Sequence, residues 1–244
     1  MKIAVVGKGG SGKTTTSAVL ARTLARSGHR ILALDCDSNP NLGISLGIGE
    51  EATERLVSVR DAVDAGDEQH PASADELVER FGVDAPDGVR LAVVSAIANP
   101  EPGCPCCGIS PEQLLGQLAR PDRVVVADFE AGLGTILRLE GNPVDVVVVV
   151  VEPTVKSLDV GRRAAGSVGD AALGRVVVAA NRVRGDEDAA RVREAFPGLD
   201  PVLIPDDPEI EAAERRGLAP LDTAPGSPGL RALIGLAGRL LPAH

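Results

Sequence analysis

The chain has 244 residues, enough for one sizeable core, and 44% of them are hydrophobic, which excludes a wholly disordered protein. Its formal net charge of -10 argues against a protein that coats DNA or RNA, because such a surface needs a basic stripe to neutralise phosphates. The chain has three Phe and neither Tyr nor Trp, so we expect a core of Val, Leu, Ile and Ala.

Short apolar segments rich in β-branched residues alternate with helical patterns along the chain. The predicted strands are Ile3–Val6, Ile31–Leu34, Arg90–Val94, Arg123–Ala127, Val144–Val151, Arg175–Ala180 and Pro201–Ile204. The predicted helices are Lys13–Ser27, Pro111–Ala119, Ser157–Gly166, Glu187–Ala195, Pro208–Arg216 and Gly229–Leu241. Several strands are apolar throughout, which is typical of strands covered on both faces. The pattern therefore predicts an α/β fold with a doubly wound, mostly parallel sheet and helices on both faces.

The stretch from 49 to 88 differs from the rest of the chain. It is acidic and interrupted by Gly, Pro and Ser, with short helices predicted at Val57–Val63 and Ala74–Phe81. We interpret it as a surface excursion of a single domain that spans residues 1–244. No apolar run reaches the roughly 18 residues of a membrane span, and Met1 leads directly into a strand. We therefore expect a cytoplasmic protein without stable membrane association.

A phosphate-binding pattern, G-x-x-x-x-G-K-[ST], follows the first predicted strand and opens the first predicted helix, from Gly7 to Thr14. Glycines let backbone N–H groups approach phosphate oxygens, and the helix N-terminus adds the positive end of its dipole. We expect Lys13 to reach the β- and γ-phosphates and the Thr14 hydroxyl to ligate Mg²⁺. The residues expected to bind the nucleotide here are Gly9, Gly10, Ser11, Gly12, Lys13, Thr14 and Thr15.

The sequence Lys8-Gly9-Gly10-Ser11-Gly12-Lys13-Thr14-Thr15 resembles the deviant Walker A loop of the MinD/ParA/nitrogenase iron protein group of P-loop ATPases. The mark of that group is the second lysine, Lys8. In that group the ATP-bound protein is a face-to-face dimer, and this lysine crosses to the partner's phosphates. The resemblance implies an ATP-bound homodimer in which Lys8 and Lys13 are catalytic, with Lys8 acting as an arginine finger does. The alternative for Lys8 is a solvated loop lysine.

Carboxylates follow two of the predicted strands, where the ligand crevice of a doubly wound sheet lies. By resemblance to the group, Asp37 orients the attacking water and Asp35 lies close to the Mg²⁺ shell. Taken alone, both could instead be turn-forming aspartates before Pro40. Asp128 follows the fourth strand, as a Walker B aspartate does, and would hold Mg²⁺ directly or through water.

Two later strand ends are expected to contact the adenine base. The carboxamide of Asn181 can both donate a hydrogen bond to the adenine edge and accept one from it. In the group an Asn-Lys or Asn-Arg pair contacts the base in this way, and Asn181 and Arg182 form the corresponding pair here. Pro205-Asp206 resembles the second base-facing loop of the group. Since a doubly wound sheet gathers the carboxyl ends of its strands in one crevice, we expect a single nucleotide site. The strand-end residues expected there are Gly7, Asp35, Asp128 and Asn181.

A cysteine-rich loop, Gly103-Cys104-Pro105-Cys106-Cys107-Gly108, separates subfamilies within the group. Cys104 and Cys106 cannot form a tetrahedral site alone, but two copies across a dimer two-fold supply four thiolates that suit Zn²⁺. The loop resembles the Cys-x-Cys pair of the CooC-type nickel-insertion ATPases of carbon monoxide dehydrogenase, which bind metal between subunits. The resemblance implies a metallochaperone or maturation factor, Zn²⁺ or Ni²⁺ at the dimer interface, and a metalloenzyme client.

Other functions stay open at this point. A positioning or partition ATPase of the MinD/ParA kind is one alternative, although the acidity opposes DNA binding and the tail Gly229–Leu241 is a poor membrane anchor. An iron-sulfur-carrying, reductase-like ATPase is another, with a cluster held by Cys104 and Cys106 of both subunits. No Cys follows Cys107, which argues against the cluster arrangement of the nitrogenase iron protein. The cysteines could also be free thiols, and the role of Cys107 is open.

Overall fold

An eight-stranded sheet forms the centre of the computed structural model, which describes residues 1–37, 39–56, 73–94, 111–118, 120, 122–130, 139 and 144–241. Its strand order is β3-β4-β2-β5-β1-β6-β7-β8, and every pairing is parallel except that of β3 with β4. The strands are β1 (Lys2–Gly7), β2 (Arg30–Cys36), β3 (Val83–Ala85), β4 (Val89–Val93), β5 (Arg123–Phe129), β6 (Val146–Val151), β7 (Arg175–Val183) and β8 (Val202–Pro205).

Helices cover both faces of the sheet, because its central strands are apolar on both sides. In β1, Ile3 and Val5 pack into one hydrophobic cluster, whereas Ala4 and Val6 pack into another on the opposite face. None of the described helices is long and apolar enough to cross a membrane. The helices are α1 (Lys13–Arg26), α2 (Leu42–Leu46), α3 (Ala74–Phe81), α4 (Pro111–Gln117), α5 (Val155–Asp170), α6 (Asp186–Ala195), α7 (Pro208–Arg215), α8 (Pro220–Thr223) and α9 (Pro228–Leu240), with a further helical stretch at 50–56.

The predicted α/β fold is confirmed, and each predicted strand is present with small changes at its ends. Strand β3, which pairs antiparallel with β4 through Val83 and Leu91, was not predicted from the sequence. This strand lies within the stretch 49–88, so part of the predicted surface excursion extends the sheet edge. The short helices α2 and α8 were not predicted either, and the helix predicted at Val57–Val63 lies outside the described residues.

Candidate nucleotide site

The loop between β1 and α1 has a backbone that only glycine adopts readily. Gly10 and Gly12 have φ angles of 78° and 95°, in the left-handed region. A Cβ on Gly12 would collide with the Nδ2 atom of Asn181, and one on Gly7 would collide with the carbonyl oxygen of Val150. The glycine spacing of the sequence therefore reflects both the turns of the loop and its close packing against β6 and β7.

Two carbonyl groups of this loop accept hydrogen bonds from side chains of β7, and a third accepts from within the loop. The Ser11 carbonyl accepts a hydrogen bond from Asn181 Nδ2 at 3.0 Å, and the Gly10 carbonyl accepts one from Arg182 Nη1 at 3.2 Å. The Lys8 carbonyl accepts from Ser11 N at 3.2 Å and from Lys13 Nζ at 3.4 Å. Because C=O and N–H point in opposite directions in a trans peptide, the Ser11 carbonyl held by Asn181 leaves the Gly12 N–H pointing away from Asn181. That orientation suits an anion, and Lys13 adds a positive charge beside it.

Asp35 and Asp128 face each other on the adjacent strands β2 and β5, where they are register partners. They are 1% and 2% exposed. Burial raises the pKa of Asp35 to about 7, and the negative charge of Asp128 adds to the shift. Burial also raises the pKa of Asp128 to about 6, although hydrogen bonds from Thr14 and Ser17 and the charge of Lys13 oppose it. Two carboxylates so close together in a buried place favour a cation between or beside them.

The oxygen donors at this place fit Mg²⁺. The ion prefers hard oxygen ligands and is commonly bound by one or two carboxylates together with substrate phosphates. Thr14, Asp35 and Asp128 supply a hydroxyl and two carboxylates next to the phosphate loop. Among the described residues, no group of three or more His, Cys, Asp or Glu side chains could hold a metal ion by itself. A Mg²⁺ site here would combine the side chains of Thr14, Asp35 and Asp128 with the nucleotide phosphates.

Asp37 follows β2 and lies half-buried near the two carboxylates, whose pKa values its charge helps to raise. Its Oδ1 accepts a hydrogen bond from the backbone N–H of Asn39 at 2.9 Å. Asp35 accepts from the backbone N–H groups of Leu42 at 2.8 Å and of Asp37 at 3.2 Å. Both aspartates therefore do order the turn after β2, and they do so at the edge of the sheet where the phosphate loop lies.

A pocket beside the loop contains the residues predicted to contact the base. Asn181 and Arg182 line it, and their amide and guanidinium groups donate hydrogen bonds to carbonyl groups of the phosphate loop. In the same pocket the Thr15 hydroxyl donates a hydrogen bond to the Glu214 carboxylate. The pocket is lined by Gly12, Thr15, Thr16, Asn181, Arg182, Pro205, Asp206, Asp207, Ile210, Glu211, Glu214 and Leu233.

The acidic wall of this pocket, formed by Glu211 and Glu214, was not predicted from the sequence. Their spacing of three residues on α7 places both on one helix face, a signal that the sequence contained. The contact of the Glu152 carboxylate with Arg182, 2.6 Å long, was not predicted either. That contact depends on which strands are neighbours, and a linear pattern does not give strand order.

Lys8 is half-buried in the loop. Its predicted action on a partner's phosphates concerns a second copy and stays a prediction. Cys104, Cys106 and Cys107 lie outside the described residues, so their metal site is likewise a prediction. Cys36, at the end of β2, is buried as a free thiol, and burial raises its pKa well above the ordinary value. It packs in the hydrophobic cluster on one face of the sheet.

A parallel sheet with a glycine loop between its central strand and the first helix, and carboxylates on the neighbouring strands, defines a P-loop nucleotide-binding protein. Residues 2–221 match the family described as the CobQ/CobB/MinD/ParA nucleotide binding domain. The chain belongs to this family of nucleotide-binding ATPases.

Known relatives agree with this assignment. The chain is 30% identical to the carbon monoxide dehydrogenase accessory protein CooC of Rhodospirillum rubrum, over 92% of the chain and 91% of the relative. Its fold is similar to that of the MinD cell division protein of Aquifex aeolicus, with a TM-score of 0.70, 22% identity, and coverage of 100% and 99%. It is also similar to MinD complexed with Mg-ADP from Pyrococcus horikoshii, with a TM-score of 0.66, 21% identity, and coverage of 98% and 95%.

Proposed function

We propose that this protein is a Mg²⁺-dependent ATP hydrolase that dimerises with ATP and acts as a metallochaperone or maturation factor for a metalloenzyme. The observation that carries the ATPase proposal is the meeting of Lys13, Asp35 and Asp128 at one edge of the sheet, beside a glycine loop whose carbonyl groups are held by Asn181 and Arg182. A related protein, the MinD of Pyrococcus horikoshii, is known in complex with Mg-ADP.

Each part of the site has a role in this proposal. The backbone N–H groups of the loop and the Lys13 ammonium bind the phosphates and stabilise the charge that develops during phosphoryl transfer. Thr14, Asp35 and Asp128 would hold Mg²⁺, which supplies charge neutralisation at the phosphate oxygens. Asp37 orients the attacking water. The adenine lies near Asn181 and the Pro205–Asp206 loop. Lys8 of a second copy adds a positive charge beside the γ-phosphate.

Steady-state turnover and sedimentation test the catalytic roles. Asp37→Asn should retain nucleotide binding and lose most turnover, because the water-orienting carboxylate is replaced by an amide of the same shape. Lys8→Ala should lower turnover and prevent ATP-dependent dimerisation. Asp84→Asn, an exposed aspartate at the far edge of the sheet, is the matched control and should behave as wild type. Wild-type turnover by Asp37→Asn would remove the role assigned to that residue.

The metal-handling part of the proposal is supported by the Cys104-Pro105-Cys106 sequence and by the 30% identity to CooC. Two such pairs across a dimer axis give four thiolates, a ligand set that suits Zn²⁺ or Ni²⁺ as cargo. The proposal places the protein in the reducing cytoplasm, where these cysteines stay as thiols. A metalloenzyme similar to carbon monoxide dehydrogenase would be the client.

Metal analysis with and without ATP tests this second part. The wild-type protein should bind about one Zn²⁺ or Ni²⁺ per dimer, since four thiolates complete one tetrahedral site. Cys104→Ala/Cys106→Ala should lose that metal and keep nucleotide binding. Cys36→Ala, which removes a buried thiol at the end of β2, should retain the metal. Equal metal content in the double variant and wild type would contradict the metal role and leave the ATPase role intact.

A further inference from the structure

Glu152 immediately follows β6, the strand that lies between β1 and β7 in the sheet. It thus stands between the phosphate loop, which follows β1, and the end of β7. Its backbone N–H donates to the Ser157 hydroxyl at 2.9 Å, which anchors its main chain to the start of α5. Its side chain is 17% exposed, and Oε1 accepts a hydrogen bond from Arg182 Nη1 at 2.6 Å.

Arg182 reaches Glu152 from an unusual backbone conformation. Its φ angle is 58°, in the left-handed region, and it lies where the pairing of β7 with β8 shifts register between Ala180 and Val183. A non-glycine residue in that conformation costs on the order of 1 kcal/mol, so surrounding contacts must hold it. The same Nη1 atom that bonds to Glu152 also donates to the Gly10 carbonyl at 3.2 Å.

We propose that Glu152 is a positioning residue for nucleotide binding: it holds the Arg182 guanidinium on the Gly10 carbonyl and so keeps the phosphate loop in its binding conformation. The inference rests on the proposed ATP-binding function. Gly10 is exposed and follows Gly9, so this part of the loop has little intrinsic order. Without Glu152, the 43% exposed guanidinium can turn to solvent, and the nucleotide must then order the loop at the expense of its affinity.

The affinity for Mg-ADP, measured by calorimetry on the full chain, tests this proposal. Glu152→Ala and Arg182→Ala should each weaken binding by about three- to tenfold, the range expected for a partly exposed charged hydrogen bond. The double variant should bind Mg-ADP no more weakly than the single variant with the lower affinity, because Glu152 acts only through Arg182. Glu152→Gln retains an oxygen acceptor and should fall between wild type and Glu152→Ala.

A control separates positioning from loss of fold. Glu187→Ala removes an exposed ion pair with Arg191, 2.8 Å long, on the surface of α6, and should keep the wild-type affinity. In ATP turnover, Glu152→Ala should raise KM and leave kcat near wild type, since a bound nucleotide orders the loop itself. Its urea midpoint should match that of Glu187→Ala.

If wild type binds Mg-ADP, either of two results would overturn the inference. One is an affinity of Glu152→Ala within about twofold of wild type, below the expected range. The other is a double variant whose loss equals the product of the two single losses, which would mean independent action. If wild type itself binds no adenine nucleotide, the proposed function fails, and the inference fails with it.

Discussion

Asp35 and Asp128, the two buried carboxylates that face each other on β2 and β5, should make the nucleotide-free protein less stable as pH rises. The pKa of Asp35 is raised from 3.8 to about 7, chiefly by burial. Between those values the folded chain still holds a proton that the unfolded chain has released, so the free energy of unfolding falls with increasing pH. A shift of about three pKa units corresponds to roughly 4 kcal/mol above pH 7, and Asp128 shifts in the same direction.

Asp35→Asn is the variant that isolates this effect. The amide oxygen can still accept the hydrogen bond from Leu42 N, but the ionisation is gone. We expect urea unfolding in the presence of a chelator to show that the free energy of unfolding of wild type falls by about 2 to 4 kcal/mol between about pH 5 and about pH 8. The free energy of unfolding of the variant should fall much less over the same range. The variant should therefore be more stable than wild type at the alkaline end. Asp84→Asn, the exposed control, should keep the wild-type slope.

The same experiment can refute the reasoning. A wild-type unfolding free energy that is flat or rises with pH over this range would show that Asp35 is not protonated near neutral pH. An Asp35→Asn variant with the wild-type slope would assign the effect to other groups. Mg-ADP should reduce the wild-type slope, because a bound cation favours the ionised carboxylates.

The remaining predictions concern packing and the loop. Gly12→Ala should abolish Mg-ADP binding in calorimetry, because φ is 95° there and a Cβ would collide with Asn181; tight binding would contradict the loop geometry. Arg22→Ala should lower the free energy of unfolding by about 2 to 3 kcal/mol in urea, since its 3% exposed guanidinium pairs with Asp222; a change near zero would contradict this. Gly161→Ala should destabilise by about 1 to 3 kcal/mol, because its Cβ would overlap the β6 side chains, and unchanged thermal unfolding would refute it.

The sequence contained enough to predict most of the fold, because the central strands are continuously apolar and each ends in a recognisable turn. The Val146–Val151 run, fully buried as β6, is the clearest case. The edge strand Val83–Ala85 was missed because it has only three residues and lies in a stretch rich in acidic residues, Pro and Gly. A short antiparallel edge depends on its partner strand more than on its own pattern.

The candidate site was predictable where one strand end determines a residue's place, as for Lys13 and Asp128. It was not predictable where two distant segments meet. The contact of Glu152 with Arg182 depends on β6 lying beside β7, and on a left-handed residue that no propensity predicts. The contact of Thr15 with Glu214 depends in the same way on how α7 packs beside the loop.

Nucleotide binding at the phosphate loop is the central claim, and calorimetric titration of wild type and Lys13→Ala with ATP and Mg²⁺ tests it most directly. The side chain of Lys13 lies at the loop and contacts the Lys8 carbonyl at 3.4 Å, so its removal should take away the main positive charge that meets the phosphates. We predict saturable binding by wild type and at least a hundredfold weaker binding by Lys13→Ala, roughly 3 kcal/mol. Equal affinities of the two proteins would contradict the account.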